Sequence, residues 1–107
     1  MTRAGDGGVV LARGPVRFDV SAETFLPPAL AGRIAHQVRQ DLWRALRRLR
    51  GFAPVVAVTP RADGLRVVAG GAVAGAIPPG TAARIAAVLD HPGNRARWIA
   101  HARRGLR

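Results

Sequence analysis

Between Leu30 and Leu49 the chain places apolar residues at 30, 34, 38, 42, 45 and 49, with no glycine or proline between Gly32 and Gly51. At 100° per residue these six side chains share one sector of about 120°, the pattern of a helix with a single buried face. Pro27-Pro28 supplies a helix-opening proline, and Gly51 stands where a closing glycine belongs. The spacing predicts an amphipathic helix over 28–50, about six turns and about 34 Å long. A helix with one apolar face must lie on another layer, and the flanking segments supply it as strands.

Val16-Arg17-Phe18-Asp19-Val20 alternates strictly, as a half-buried strand does, and pairing with Val9–Ala12 across Gly14-Pro15 would make a hairpin. Runs 54–59 and 65–69 flank a turn cluster, Pro60 to Gly64, that ends in Asp-Gly. Gly70-Gly71 reads as a second turn leading into a weaker strand over 72–77. Pro78 to Thr81 opens a helix running to about Leu89, with Ala82, Ile85, Ala86 and Leu89 as its buried stripe. Asp90-His91-Pro92 breaks that helix and can cap the next, Asn94 to Arg104, which Gly105 closes. The order is β(β)-α-β-β-β-α-α. It predicts an α+β fold, a small three- to four-stranded, mainly antiparallel sheet with the long helix packed on it. Residues 1–8 are expected to be a flexible N-terminus before a single domain over 9–107. Both faces of the central hairpin look apolar. Two remaining helices or a homodimer would then have to cover the second face.

Charge bears on function. All 17 cations are arginine, against six carboxylates, for a formal net charge of +11. A GC-rich genome explains the choice of arginine over lysine but not the shortage of acids. Residues 1–26 are neutral, 27–51 carry +5, 52–78 carry +1 and 79–107 carry +5. On the helical wheel Arg33, Arg39, Arg44, Arg47 and Arg50 oppose the apolar stripe, and Arg48 lies at its edge near Asp41. Like charges three and four apart oppose helix formation by a few tenths of a kcal/mol each. Either a partner supplies the missing anions, or the face is simply solvated, with the last arginines favouring the helix C-terminus.

Trp43 falls outside the apolar stripe, beside Arg39, Gln40 and Arg47, with His36 two turns back. It either stacks on an unpaired base or anchors a protein interface, or it packs over the core edge. In the last segment Trp98, Ala102 and Ile99 form an apolar stripe among Arg95, Arg97, Arg103, Arg104 and His101, so Trp98 is expected in the core.

The chemistry of an enzyme is not evident. The chain has no cysteine and no lysine, so thiolate sites and a phosphate-binding Gly-Lys-Ser/Thr loop are excluded. The histidines lack metal-ligand spacing. Ser21 is the only serine, expected in a turn, and the acids are scattered. No catalytic residue, metal or cofactor is expected. No signal-peptide core or membrane-length apolar run occurs, which makes the cytoplasm the expected location. The functional expectation is a small basic nucleic-acid-binding accessory or regulatory protein. It would hold DNA or RNA phosphates with Arg33, Arg39, Arg44, Arg47, Arg50, Arg95, Arg97, Arg103 and Arg104, with Trp43 stacking. The alternative is a non-enzymatic adaptor whose basic helix docks on an acidic protein.

Overall fold

The computed structural model describes residues 1–104; the expected closing glycine, Gly105, lies outside the described residues. The elements are β1 (Thr2–Arg3), β2 (Val9–Ala12), β3 (Val20–Leu26), α1 (Ala31–Leu46), β4 (Phe52–Arg61), β5 (Gly64–Val73), α2 (Thr81–Asp90) and α3 (Pro92–Ala102). The strands form one antiparallel sheet in the order β1-β2-β4-β5-β3. The α+β class and the long helix on the sheet hold, but the sheet has five strands rather than three or four. No helix among the described residues is long and apolar enough to cross a membrane.

The chain departs from the expected hairpins in three places. Val9–Ala12 does not pair with the strand that follows it: β2 and β3 flank β4 and β5 on opposite sides. Of the alternating run Val16, Phe18 and Val20 only Val20 enters a strand: β3 turns Val20, Ala22, Thr24 and Leu26 inward, while Val16 and Phe18 precede it and are exposed. Ser21 therefore sits in a strand opposite Gly70, not in a turn.

Gly70-Gly71 is not a turn either. Both lie inside β5, which absorbs the start of the expected third strand. A Cβ at Gly70 would lie 2.0 Å from the Val20 carbonyl oxygen, and one at Gly71 2.0 Å from that of Ala53. Glycine is needed because neighbouring backbones crowd this end of the sheet, not because the chain reverses. At the N-terminus, Thr2–Arg3 pairs with Val9 and Val10.

α1 is shorter than expected at both ends. Leu30, not Pro28, is its N-cap, and the Leu30 amide donates to the Ala102 carbonyl at the end of α3. Beyond Leu46 the chain tightens through a Leu49 N–H to Leu46 carbonyl bond and turns at Gly51, whose φ of 71° favours glycine as expected. The buried face comprises Ile34, Ala35, Val38, Asp41, Leu42 and Leu46; Ala45 is exposed and Leu49 only half-buried. These apolar side chains meet Val9, Leu11, Val56, Val58, Val67 and Ala69 of the sheet. Each fully buried aliphatic side chain contributes about 1.5–3 kcal/mol.

All three helices join this one core. In α2 the buried residues are Thr81, Ile85 and Leu89; Ala82 is exposed and Ala86 half-buried, because α2 rests on β3 along a narrower strip. His91 caps α3 as expected, its Nδ1 accepting from the Asn94 amide at 3.1 Å. Trp98 is 0 % exposed. Its Nε1 donates to Asp41 Oδ2 at 2.6 Å, and Arg97 reaches the same oxygen at 2.7 Å. The acid placed near Arg48 on the wheel thus turns inward to α3, with Arg44 3.8 Å away.

The opposite sheet face carries Val10, Ala12, Ala57 and Val68, half-buried with no helix over them. Val55 points the same way yet is 0 % exposed, beside buried Gly70 and Ala72. The connection from Ala12 to Val20 must cross β4 and β5 at this level, and it covers them. Its far end is anchored by Asp19, whose backbone N–H donates to the Gly71 carbonyl and whose carboxylate accepts from the Val73 amide at 2.9 Å. Arg17, hydrogen bonded to both carboxylate oxygens, and then the Val73 amide hold Asp19 below the usual carboxylate range.

Two outcomes follow. Asp41→Ala strands the Trp98 indole N–H in the core and removes the partner of Arg97. It is expected to cost about 3 kcal/mol in urea unfolding. Asp19 stabilises the fold when ionised, so its contribution is present above the unfolded pKa of about 4 and is lost as pH falls through the lower folded value. The thermal midpoint of Asp19→Asn should therefore lie below that of the parent at pH 7, and the gap should close in acid. A gap that widens in acid contradicts the assignment.

Candidate functional site

The arginines divide by what their guanidinium groups touch. One set is tied to backbone carbonyls. Arg84 donates to Ala45 in the last turn of α1 at 2.7 Å. Arg95 donates to Leu89 in the last turn of α2, to Phe25 and to the Thr24 hydroxyl. Arg103 donates to Pro28, and Arg33 to Arg104. Helix C-termini leave carbonyls without intrahelical donors, and arginine's planar fork reaches several at once. A second set pairs with acids: Arg17 with Asp19, Arg66 with Glu23 and Arg97 with Asp41.

A third set has neither. Among the described residues, the side chains of Arg3, Arg13, Arg39, Arg47, Arg48, Arg50, Arg61 and Arg104 make no hydrogen bond or ion pair. Arg44 has only the long contact to Asp41, with its side chain largely in solvent. Arg3 lies on β1, Arg61 at the end of β4 and Arg104 just past α3, whereas Arg13, Arg39, Arg44, Arg47, Arg48 and Arg50 lie on α1, on the turn that follows it, or just past β2. The fold brings these six to one end of the molecule, where α1 finishes and β4 begins.

A cleft of about 650 Å³ opens at this end. Its wall is α1. His36, Arg39, Gln40 and Trp43 recur at helical spacing within a sector of about 100°, on the flank away from Asp41 and α3, and Gln37 extends the rim. Its floor is Phe52, Ala53 and Pro54 at the start of β4. Arg13 closes it: Ala12 pairs with Val55, so the next residue is delivered beside Pro54. Trp43 is 47 % exposed. Arg39 is half-buried, and its Nε is enclosed by protein without a hydrogen-bond partner. No lining residue is acidic. Around the corner a smaller cleft of about 490 Å³ includes Arg48 and Arg50.

The structure thus gathers Arg39, Trp43, Arg44, Arg47 and Arg50 of the residues expected from sequence. Arg33, Arg103 and Arg104 lie at the other end of α1, roughly 20 Å away along a 1.5 Å rise per residue. Arg95 and Arg97 are engaged within the fold. Sequence reasoning missed Arg13 and Phe52, which reach the cleft only through the strand order. Gln40 and His36 were visible on the wheel beside Trp43. Among the described residues no group of three or more His, Cys, Asp or Glu side chains could hold a metal ion.

No protein-family model, curated protein or solved structure matches this chain.

The division of the arginines has a measurable consequence. Arg95→Ala removes three hydrogen bonds from a charged donor and strands two carbonyls, at an expected cost of about 2–3 kcal/mol in denaturant unfolding. Arg47→Ala removes no contact within the fold. It relieves like-charge repulsion, so stability should stay within about 0.5 kcal/mol of the parent or rise slightly.

Proposed function

We propose that this protein binds nucleic acid, holding phosphates with Arg13, Arg39, Arg44, Arg47, Arg48 and Arg50 around Trp43. What supports the reading is a cluster of cations: six arginines, five of them without a hydrogen bond or ion pair, share one end of the molecule with a half-exposed tryptophan, and the cleft that Arg13 and Arg39 line beside it holds no acid. Such a concentration costs self-repulsion in the free protein, and a polyanion relieves it. Arginine suits the task because its fork meets phosphate oxygens in pairs. The role is one of binding, as an accessory or regulatory protein; no step of catalysis is assigned.

Phosphate contacts release condensed counterions, so affinity should fall steeply with salt. Anisotropy titrations with DNA and RNA between about 50 and 200 mM salt should give log–log slopes of about −3 to −5, as four to six neutralised phosphates require. Replacing Arg47 and Arg50 together by alanine should flatten the slope by about two. A Kd no better than about 1 mM at low salt, or one that salt does not move, refutes the proposal, as does a pulled-down partner protein that survives nuclease while added nucleic acid fails to bind.

A further inference from the structure

We infer that the cleft beside Trp43 receives one unpaired nucleotide, so that the preferred ligand is single-stranded rather than duplex nucleic acid. This rests on the nucleic-acid reading above and specifies the strand state that reading leaves open. Three features of the cleft carry it. It presents an aromatic wall, Trp43, over an apolar floor at Phe52 and Pro54. Every base has a π-face, so stacking on such a wall is available to any unpaired base but to none held inside a duplex stack. Two guanidinium groups, Arg13 and Arg39, belong to the same recess, and neither has an acid or carbonyl partner among the described residues. Arg39 is the more telling of the two, because a half-buried guanidinium with an unsatisfied Nε is costly unless an anion offsets it. The amides of Gln37 and Gln40 and the imidazole of His36 also line the cleft and offer donors and acceptors to a base edge.

Simpler ligands account for less. Inorganic phosphate would use the arginines and leave the tryptophan idle. A neutral aromatic compound would use the tryptophan and leave two cations bare. A duplex would lie across Arg47, Arg48 and Arg50 and meet only the rim. A volume of about 650 Å³ falls in the range of pockets that enclose small organic ligands, which suits one nucleotide and not a base pair with its backbones.

The test compares an oligothymidylate of about 12 nucleotides with a blunt duplex of about 12 base pairs, both fluorescein-labelled, at one low salt concentration. The single strand should bind at least about 10-fold more tightly per molecule, although the duplex carries more phosphate. Trp43→Ala should weaken single-strand binding about 5- to 100-fold, the range of one lost base stack, and change duplex binding less than about 2-fold. Trp43→Phe should restore most of the loss. Intrinsic fluorescence gives a second readout: the single strand should quench the parent protein and not Trp43→Phe, since Trp98 is fully buried. Arg13→Ala, which removes no hydrogen bond or ion pair within the described residues, should weaken the single strand selectively. If duplex and single strand bind equally, with Trp43→Ala affecting neither, the nucleotide cleft is refuted while the phosphate surface stands. If neither binds, both readings fall together.

Discussion

The carboxylate of Asp41 organises this molecule. It is one of six acids in a chain of 17 cations, and it is spent in the interior, 9 % exposed, beneath the Trp98 indole and the Arg97 guanidinium. That contact seats α3 against one flank of α1 and settles which side of the long helix is covered. From α3 and the residue after it, Arg95 donates to the Leu89 and Phe25 carbonyls, Arg97 to Asp41 and Arg103 to the Pro28 carbonyl. The opposite flank of α1, with Arg39, Trp43 and His36, is left without a helix over it. A charged anchor in a core contributes little net stability on balance, since desolvation offsets the attraction. What it provides is direction: one carboxylate oxygen accepts from both the Trp98 indole and the Arg97 guanidinium and so joins α1 to α3.

The sheet order makes the second contribution. The connection from β2 to β3 crosses two strands instead of turning back, which moves Arg13 from a nominal hairpin turn to the mouth of the cleft. The glycine pair in β5 and the Arg17–Asp19–Val73 contacts accommodate and fasten that crossing at its far end. Gly71 also pairs with Pro54 and packs against Ala53, so the same crowded end of the sheet underlies the cleft floor.

Periodicity was informative wherever one helix or strand faced one core. The long helix, the central hairpin, the capping role of His91 and the burial of Trp98 were all legible, because each depends on neighbours close in sequence. The strand pairing of Val9–Ala12 was not, since alternation shows which face a strand buries and nothing about which strand lies beside it. Gly70-Gly71 misled for a related reason: glycine marks both reversal and close approach, and only the neighbouring backbone distinguishes them. At the candidate site, Arg39 and Trp43 could be placed on a common flank from the wheel. Arg13 and Phe52 could not, because they arrive from segments more than twenty residues before and nine residues after that tryptophan.

Net charge alone could not separate the arginines either, and their partners do. A GC-rich composition accounts for the use of arginine throughout. Tethering to carbonyls accounts for Arg33, Arg84, Arg95 and Arg103 without invoking any ligand. Arg3, Arg61 and Arg104 also lack side-chain partners, away from the cleft, but neither account explains the grouping of Arg13, Arg39, Arg44, Arg47, Arg48 and Arg50. Those arginines add like charge to one another and come from α1, its following turn and the end of β2 to one end of the molecule, where Arg13 and Arg39 line the cleft beside Trp43. A compositional surplus would be distributed as the tethered arginines are, over the whole surface. Convergence from separate segments is what a shared anionic ligand would require.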